Sequence, residues 1–169
     1  MWLKCRRPVG CAAGKSSASA TFKVGSLLPK LSVWIAALWW GSLTTVGFYV
    51  VPMLFANLPS PAIAGNMAAK LFTAQTWMAV VCGLLLLLVS RSNQPLAQVE
   101  RAQAAIVFIV LGMLLALLSE FAVAPRIVAR QNLPLWHSVG MGLYIAQWVC
   151  AGLTFRSCWQ KQIEGRQRR

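Results

Sequence analysis

Aspartate is absent from this chain, glutamate occurs three times (Glu100, Glu120, Glu164) and histidine once (His137). Those shortages exclude much chemistry. Without aspartate there is no Ser-His-Asp triad, no Walker-B magnesium ligand and little basis for a carboxylate-bridged two-metal centre. A single histidine cannot give bis-histidine haem ligation within one chain, which leaves a His/Met pair or a dimer. The five cysteines include no C-x-x-C pair, and Cys82 and Cys150 fall inside apolar runs, so no disulfide framework is expected. The stretch "VGCAAGKSS" resembles a phosphate loop, but Val9 stands where its first glycine would be. Neither enzymatic activity nor a cofactor is expected.

What the chain has is hydrocarbon. Apolar residues make up 58% of its 169 positions. A membrane-crossing helix needs ~20 mostly apolar residues, because a helix rises ~1.5 Å per residue through ~30 Å of hydrocarbon. Four windows reach that length, at 31–58, 71–90, 104–128 and 135–155. The expected fold is all-α, a four-helix transmembrane bundle spanning 31–156. Basic tails at 1–30 and 157–169 flank it, the first read as disordered.

The formal charge of +13 does not point to nucleic acid, because the cations lie at the ends of the spans. Thirteen fall before the first span, between the second and third, or after the fourth. Lys70, Arg126 and Arg130 alone fall on the other side. That bias predicts that both termini are cytoplasmic and that the tails are drawn to anionic lipid.

An internal repeat runs through the spans. "FYVVPMLFANLP" (48–59) and "FAVAPRIVARQNLP" (121–134) share F-x-V-x-P-x-x-x-A and then N-L-P, and "LFTAQ" (71–75) answers "LYIAQ" (143–147). The offsets are 73, 75 and 72 residues. Two parallel helical hairpins, related by an axis along the membrane normal, would give this pattern. Small residues at four-residue spacing mark the faces expected to pack inward. They are Ala37, Gly41 and Thr45; Gln75, Ala79 and Gly83; Gly112, Ala116, Glu120 and Ala124; and Ser138, Gly142, Ala146, Cys150 and Thr154.

Glu120 is the acid placed inside an apolar run, and it costs ~2.5–3.5 kcal/mol at mid-helix on insertion scales. Its place on the small-residue face points it at neighbouring helices. Lys70, Arg126, Arg130 and His137 lie near the outer ends, Gln75 about one turn further in, and Gln147 and Glu120 deeper still. Together Glu120, His137, Gln75, Gln147, Lys70 and Arg126 are the candidate lining of a polar pocket open outward. The alternatives are a Glu120 that only fixes packing through Gln75, Gln147 or Tyr144, and arginines that snorkel to the interface. His137, beside Trp136, is expected to belong to the interfacial belt.

The first hairpin, "LWWGSLTTVGFYVVPMLFANLPSPAIAGNMAAKLF", carries W-G at Trp40 and Gly41, L-F-x-x-L-P at Leu54 to Pro59, then Gly65 and K-L-F at Lys70 to Phe72. The second half adds P-R at Pro125 and Arg126 and the pair Trp136 and His137. In order and spacing these motifs resemble the transmembrane-protein-205-like family, whose bacterial members are labelled a domain of unknown function (4149). The resemblance implies a four-span protein of the bacterial inner membrane with no established activity. A weaker likeness to copper-resistance and haem-pathway membrane families lacks their early first-span histidine; Ser32 stands near that place.

Three functions are left open. The first is passage of a small solute or proton through the outward pocket, with Glu120 titrating. The second is a non-catalytic scaffold or accessory subunit whose small-residue stripes bind partner helices. The third is metal or haem handling through His137 and a methionine. The expected partners are the lipid bilayer and a second copy or another membrane protein.

Overall fold

The computed structural model describes the backbone of residues 17–91, 99–129 and 132–167. Among the described residues every element is helical. α1 (Ser17–Thr45) runs through a five-residue π turn (Val46–Val50) into α2 (Val51–Asn57), and α3 (Pro61–Arg91) returns. α4 (Val99–Leu118) runs through a second π turn (Ser119–Val123) into α5 (Ala124–Val128), and α6 (Leu133–Gln167) returns. Four stretches are long and apolar enough to cross a bilayer: Lys30–Asn57, Pro61–Ser90, Gln103–Val128 and Leu133–Gln167. The chain is therefore a multi-pass membrane protein built as a four-helix bundle.

Helix is dictated here by solvent. In hydrocarbon each unpaired N–H or C=O costs several kcal/mol, so a lone span must pair its backbone within itself. Side-chain hydroxyls obey the same rule. Thr44, Thr45, Thr154 and Ser157 each donate to the carbonyl four residues back, at 2.8–2.9 Å. The helices run beyond the apolar windows that the sequence marks. α1 already begins at Ser17, inside the tail expected to be disordered, α3 starts at Pro61 rather than near 71, and α6 continues to Gln167. Apolar content defines where lipid begins, but helical pairing continues for as long as no breaker intervenes. Residues 1–16 of the expected tail, together with Arg130, lie outside the described residues.

The breakers are local and legible. Ser60 caps α3, its Oγ accepting from the Ile63 N–H at 3.3 Å, with Pro61 next in the chain. Asn132 takes a left-handed φ of 42° and its carbonyl accepts from Leu135 and Trp136, turning the chain into α6. The π turns are the other irregularity. Each ends just ahead of a proline, Pro52 or Pro125, whose ring would strike the carbonyl four residues back and which has no N–H to donate. Widening the turn relieves this: Val51 N–H bonds Val46 O and Ala124 N–H bonds Ser119 O, each five residues back.

α1 packs on α3 and α6, and α4 packs on the same two, so the first and third spans stand diagonally across the bundle. The inner core is Ile35, Ala36, Trp39, Leu43, Ala79, Cys82, Leu86, Ile109, Ala116 and Ala151. Along the seam of α1 and α6, rings of Phe48, Trp148, Trp40, Phe155 and Trp159 succeed one another at centroid spacings of 5.7–6.3 Å. The outside is apolar too, as lipid requires: Trp34 is 74% exposed and Phe121 68%.

The small-residue faces hold only in part. Gln75, Ala79 and Gly83 are buried, as are Gly112 and Ala116. In the first span, however, Thr45 is exposed, and the interior is made by Ile35, Ala36, Trp39 and Leu43. In the fourth, Cys150 and Thr154 are buried while Ser138 and Gly142 are exposed. A four-residue stripe overshoots the 3.6-residue turn by about 40° at each step, so over four steps it winds off the face it started on.

Gly112 shows what the close approach is for. A Cβ there would stand 2.8 Å from Cη2 of Trp39, whose side chain is wholly buried and has no room to yield. Gly41 has nothing within 4 Å of such an atom. Gly112→Ala should therefore lower stability by about 1–3 kcal/mol, the usual range for overpacking, whereas Gly41→Ala should leave it unchanged or slightly raised. Reversible unfolding in detergent micelles checks both, and equal behaviour of the two variants would contradict this packing.

Candidate functional site

The polar side chains that the sequence singles out divide into two groups. Gln75 and Gln147 are buried within the bundle and Glu120 is half-buried, whereas Lys70, Arg126 and His137 are exposed. The six thus divide between the interior and the surface of the bundle. The exposed three sit nearer the end of the bundle that carries the 58–60 and 129–132 connections. Arg126 lies with its guanidinium carbon 4.2 Å from the centroid of Trp136, a cation–π contact that suits an arginine at a membrane interface.

Glu120 belongs to the second π turn. Its Oε1 accepts a hydrogen bond from Thr73 Oγ1 at 2.8 Å, across from α3. Thr73 has a second acceptor within reach, the Ala69 carbonyl at 3.2 Å, so its single proton is shared between the carboxyl and its own helix. Of the partners weighed from sequence, Gln75 and Tyr144 are engaged otherwise. Gln75 Nε2 donates to Ser42 Oγ at 3.0 Å, and Ser42 donates onward to the Trp39 carbonyl at 2.9 Å. Tyr144 donates to the Leu43 carbonyl at 2.7 Å, and its ring fills the space where a Cβ on Gly47 would stand. Trp148 Nε1 donates to Thr44 Oγ1 at 2.9 Å.

Among the described residues four buried polar atoms bond no protein group: Trp39 Nε1, Trp40 Nε1, Gln147 Nε2 and Ser119 Oγ, the last next in the chain to Glu120. All four spans thus contribute polar side chains, Ser42, Gln75, Ser119 with Glu120, and Gln147, close in sequence to the core residues Trp39, Ala79, Ala116 and Ala151. Chemically they offer one carboxyl, hydroxyl and amide groups, and at Pro125 a missing N–H that leaves the helix a carbonyl to spare. That set can take up a proton or a small hydrogen-bonding species. Among the described residues no three of histidine, cysteine, aspartate and glutamate gather as a metal site would require.

A family model described as "Domain of unknown function (DUF4149)" matches residues 34–133. The chain belongs to that family. The DUF4149 match takes in both π turns, Thr73, Gln75, Ser119 and Glu120, and ends before His137 and Gln147. The wider likeness to transmembrane-protein-205-like proteins rests on the motifs alone. No curated protein and no solved structure matches the chain.

Sequence reasoning missed Thr73 and Ser42, the residues that hold the carboxyl and one amide. The available signal was depth: Thr73 lies two residues before Gln75, and Ser42 directly follows the W-G motif. If the Thr73–Glu120 bond holds in lipid, a double-mutant cycle of Thr73→Val and Glu120→Gln should give a coupling of about 0.6–1.7 kcal/mol, the range of interhelical bonds in membranes. Stability measured in bicelles supplies the numbers, and a coupling indistinguishable from zero would remove the contact from the account.

Proposed function

We propose that this DUF4149 protein resides in the inner membrane with both termini in the cytoplasm. There it passes protons, or a small polar solute that travels with them, through a polar site on its outward half. Glu120 is the titrating group. The observation that carries this reading is a carboxyl placed at a helix break inside a membrane span, held by a shared threonine proton. Ionisable groups at such depth are expensive and concentrate on ion and proton pathways, and π turns recur at functional sites. Gln75, Ser119 and Gln147 support the carboxyl as polar neighbours. The distribution of thirteen cations on one side against three supports the orientation. In this reading the chain is not an enzyme and needs no cofactor.

The test is flux in proteoliposomes with a trapped pH-sensitive dye. Glu120→Gln should reduce proton passage at least tenfold, while Glu120→Asp should keep part of it. Carbodiimide labelling read by mass spectrometry should find the adduct at Glu120 rather than at the two other glutamates, and Glu120→Gln should abolish it. Wild-type flux in Glu120→Gln would sink the proposal.

An accessory-subunit reading has its own observation. The outer part of α6 presents Ser138 and Gly142 on an exposed face, and nothing lies within 4 Å of a Cβ placed on Gly142. Small exposed residues in a span let another helix approach closely. Gly142→Cys in a cysteine-free background should then cross-link two copies in native membranes, and a strictly monomeric product would leave a second copy out of the reading.

A further inference from the structure

The two halves of the bundle correspond at their helix breaks and at several positions of the returning spans. The π turns Val46–Val50 and Ser119–Val123 are 73 positions apart, as are Pro52 and Pro125. On the returning spans the spacing is 72, which pairs Phe72 with Tyr144 and Gln75 with Gln147. Phe72 and Tyr144 meet edge to face with centroids 5.4 Å apart, as equivalent side chains flanking a two-fold axis do. Within the polar region the correspondence fails at Ser42 and Gly47.

In the first half the corresponding amide is paired, although Trp39 Nε1 and Trp40 Nε1 there bond no protein group. Gln75 donates to Ser42, Tyr144 closes on Gly47 and bonds Leu43. The second-half counterpart of Ser42 is Leu115, which has no hydroxyl, and the counterpart of Gly47 is Glu120. Packing agrees with this alignment. Along antiparallel α4 and α6, Gly112 lies against Cys150 and Gly140 against Val123, which puts Gln147 level with about residue 115. Ser119 is then roughly one helical turn away, within reach of a glutamine side chain. Gln147 is only 3% exposed, yet its Nε2 bonds no protein group, and neither does Ser119 Oγ.

A buried amide N–H left without an acceptor carries its full desolvation cost, so such groups in native proteins almost always have a partner. We propose that the second half of the bundle is a hydrated site, in which ordered water accepts from Gln147 and bonds Ser119, taking the place that Ser42 takes in the first half. Water suits the place because it needs two to four polar partners, and Gln147, Ser119 and the nearby carboxyl of Glu120 supply them. In the first half Ser42 and Tyr144 make the corresponding contacts with protein groups. This inference rests on reading Glu120 as the protonatable group and adds the hydration through which a proton would reach it.

The experiment restores the missing hydroxyl. A structure of the full chain in lipid, at a resolution that shows ordered water, should have water density on Gln147 Nε2 and Ser119 Oγ in the wild type, and Leu115→Ser should displace it from Gln147. A dry site in the wild type overturns the proposal. Melting temperature in detergent is the second readout. Satisfying or deleting a dry, unpaired amide, by Leu115→Ser or by Gln147→Leu, would raise it by more than about 3 °C. A hydrated amide predicts no rise in either variant, and a rise in either one overturns the proposal. Neither readout depends on flux, so loss of the hydrated site and loss of the passage reading are told apart by the Glu120→Gln assay.

Discussion

Backbone hydrogen bonding in hydrocarbon is the constraint from which the rest of this structure follows. Where water is absent, a span that breaks its own ladder must repair it nearby. The first and third spans each contain a proline near their C-terminal ends, and each repairs the damage by widening into a π turn just before it. The repair displaces a side chain from the place an unbroken helix would give it. In one span the displaced position is Gly47, which admits the ring of Tyr144, and in the other it is Glu120, which meets Thr73. One backbone problem, solved twice, thus frames both polar features of the bundle.

Packing then decides which polar groups are costly. Trp39, Leu43, Leu86 and Ile109 are all essentially inaccessible and fill the core around Ser42, Gln75, Ser119 and Gln147. Toward the 58–60 and 129–132 connections the helices carry exposed cations and an aromatic partner for one of them, Arg126 on Trp136.

The fold was legible in the sequence because length and hydropathy leave a membrane chain few choices, and the repeat in F-x-V-x-P located both helix breaks before their geometry was known. Glu120 was legible for a related reason, since an acid in hydrocarbon has few places to go. The partners were not. Thr73 and Ser42 are ordinary hydroxyl residues whose importance depends on which helix stands opposite, and order along the chain does not give that. The stripe in α6 misled because spacing by four is not the helical period, so Ser138 and Gly142 ended on the outside. Lys70 and His137 were grouped with the pocket by depth alone, and depth does not say which way a side chain faces.

The pairing of position 47 with position 120 has an evolutionary reading. Two separate copies of one hairpin, assembled about a two-fold axis, must carry the same residue at both places, either two carboxyls or two glycines. A single chain that holds both hairpins escapes that identity. One copy can keep the wedge that locks the assembly, and the other is free to specialise. The covalent link between α3 and α4 is therefore what permits a symmetric scaffold to hold one acid rather than two or none.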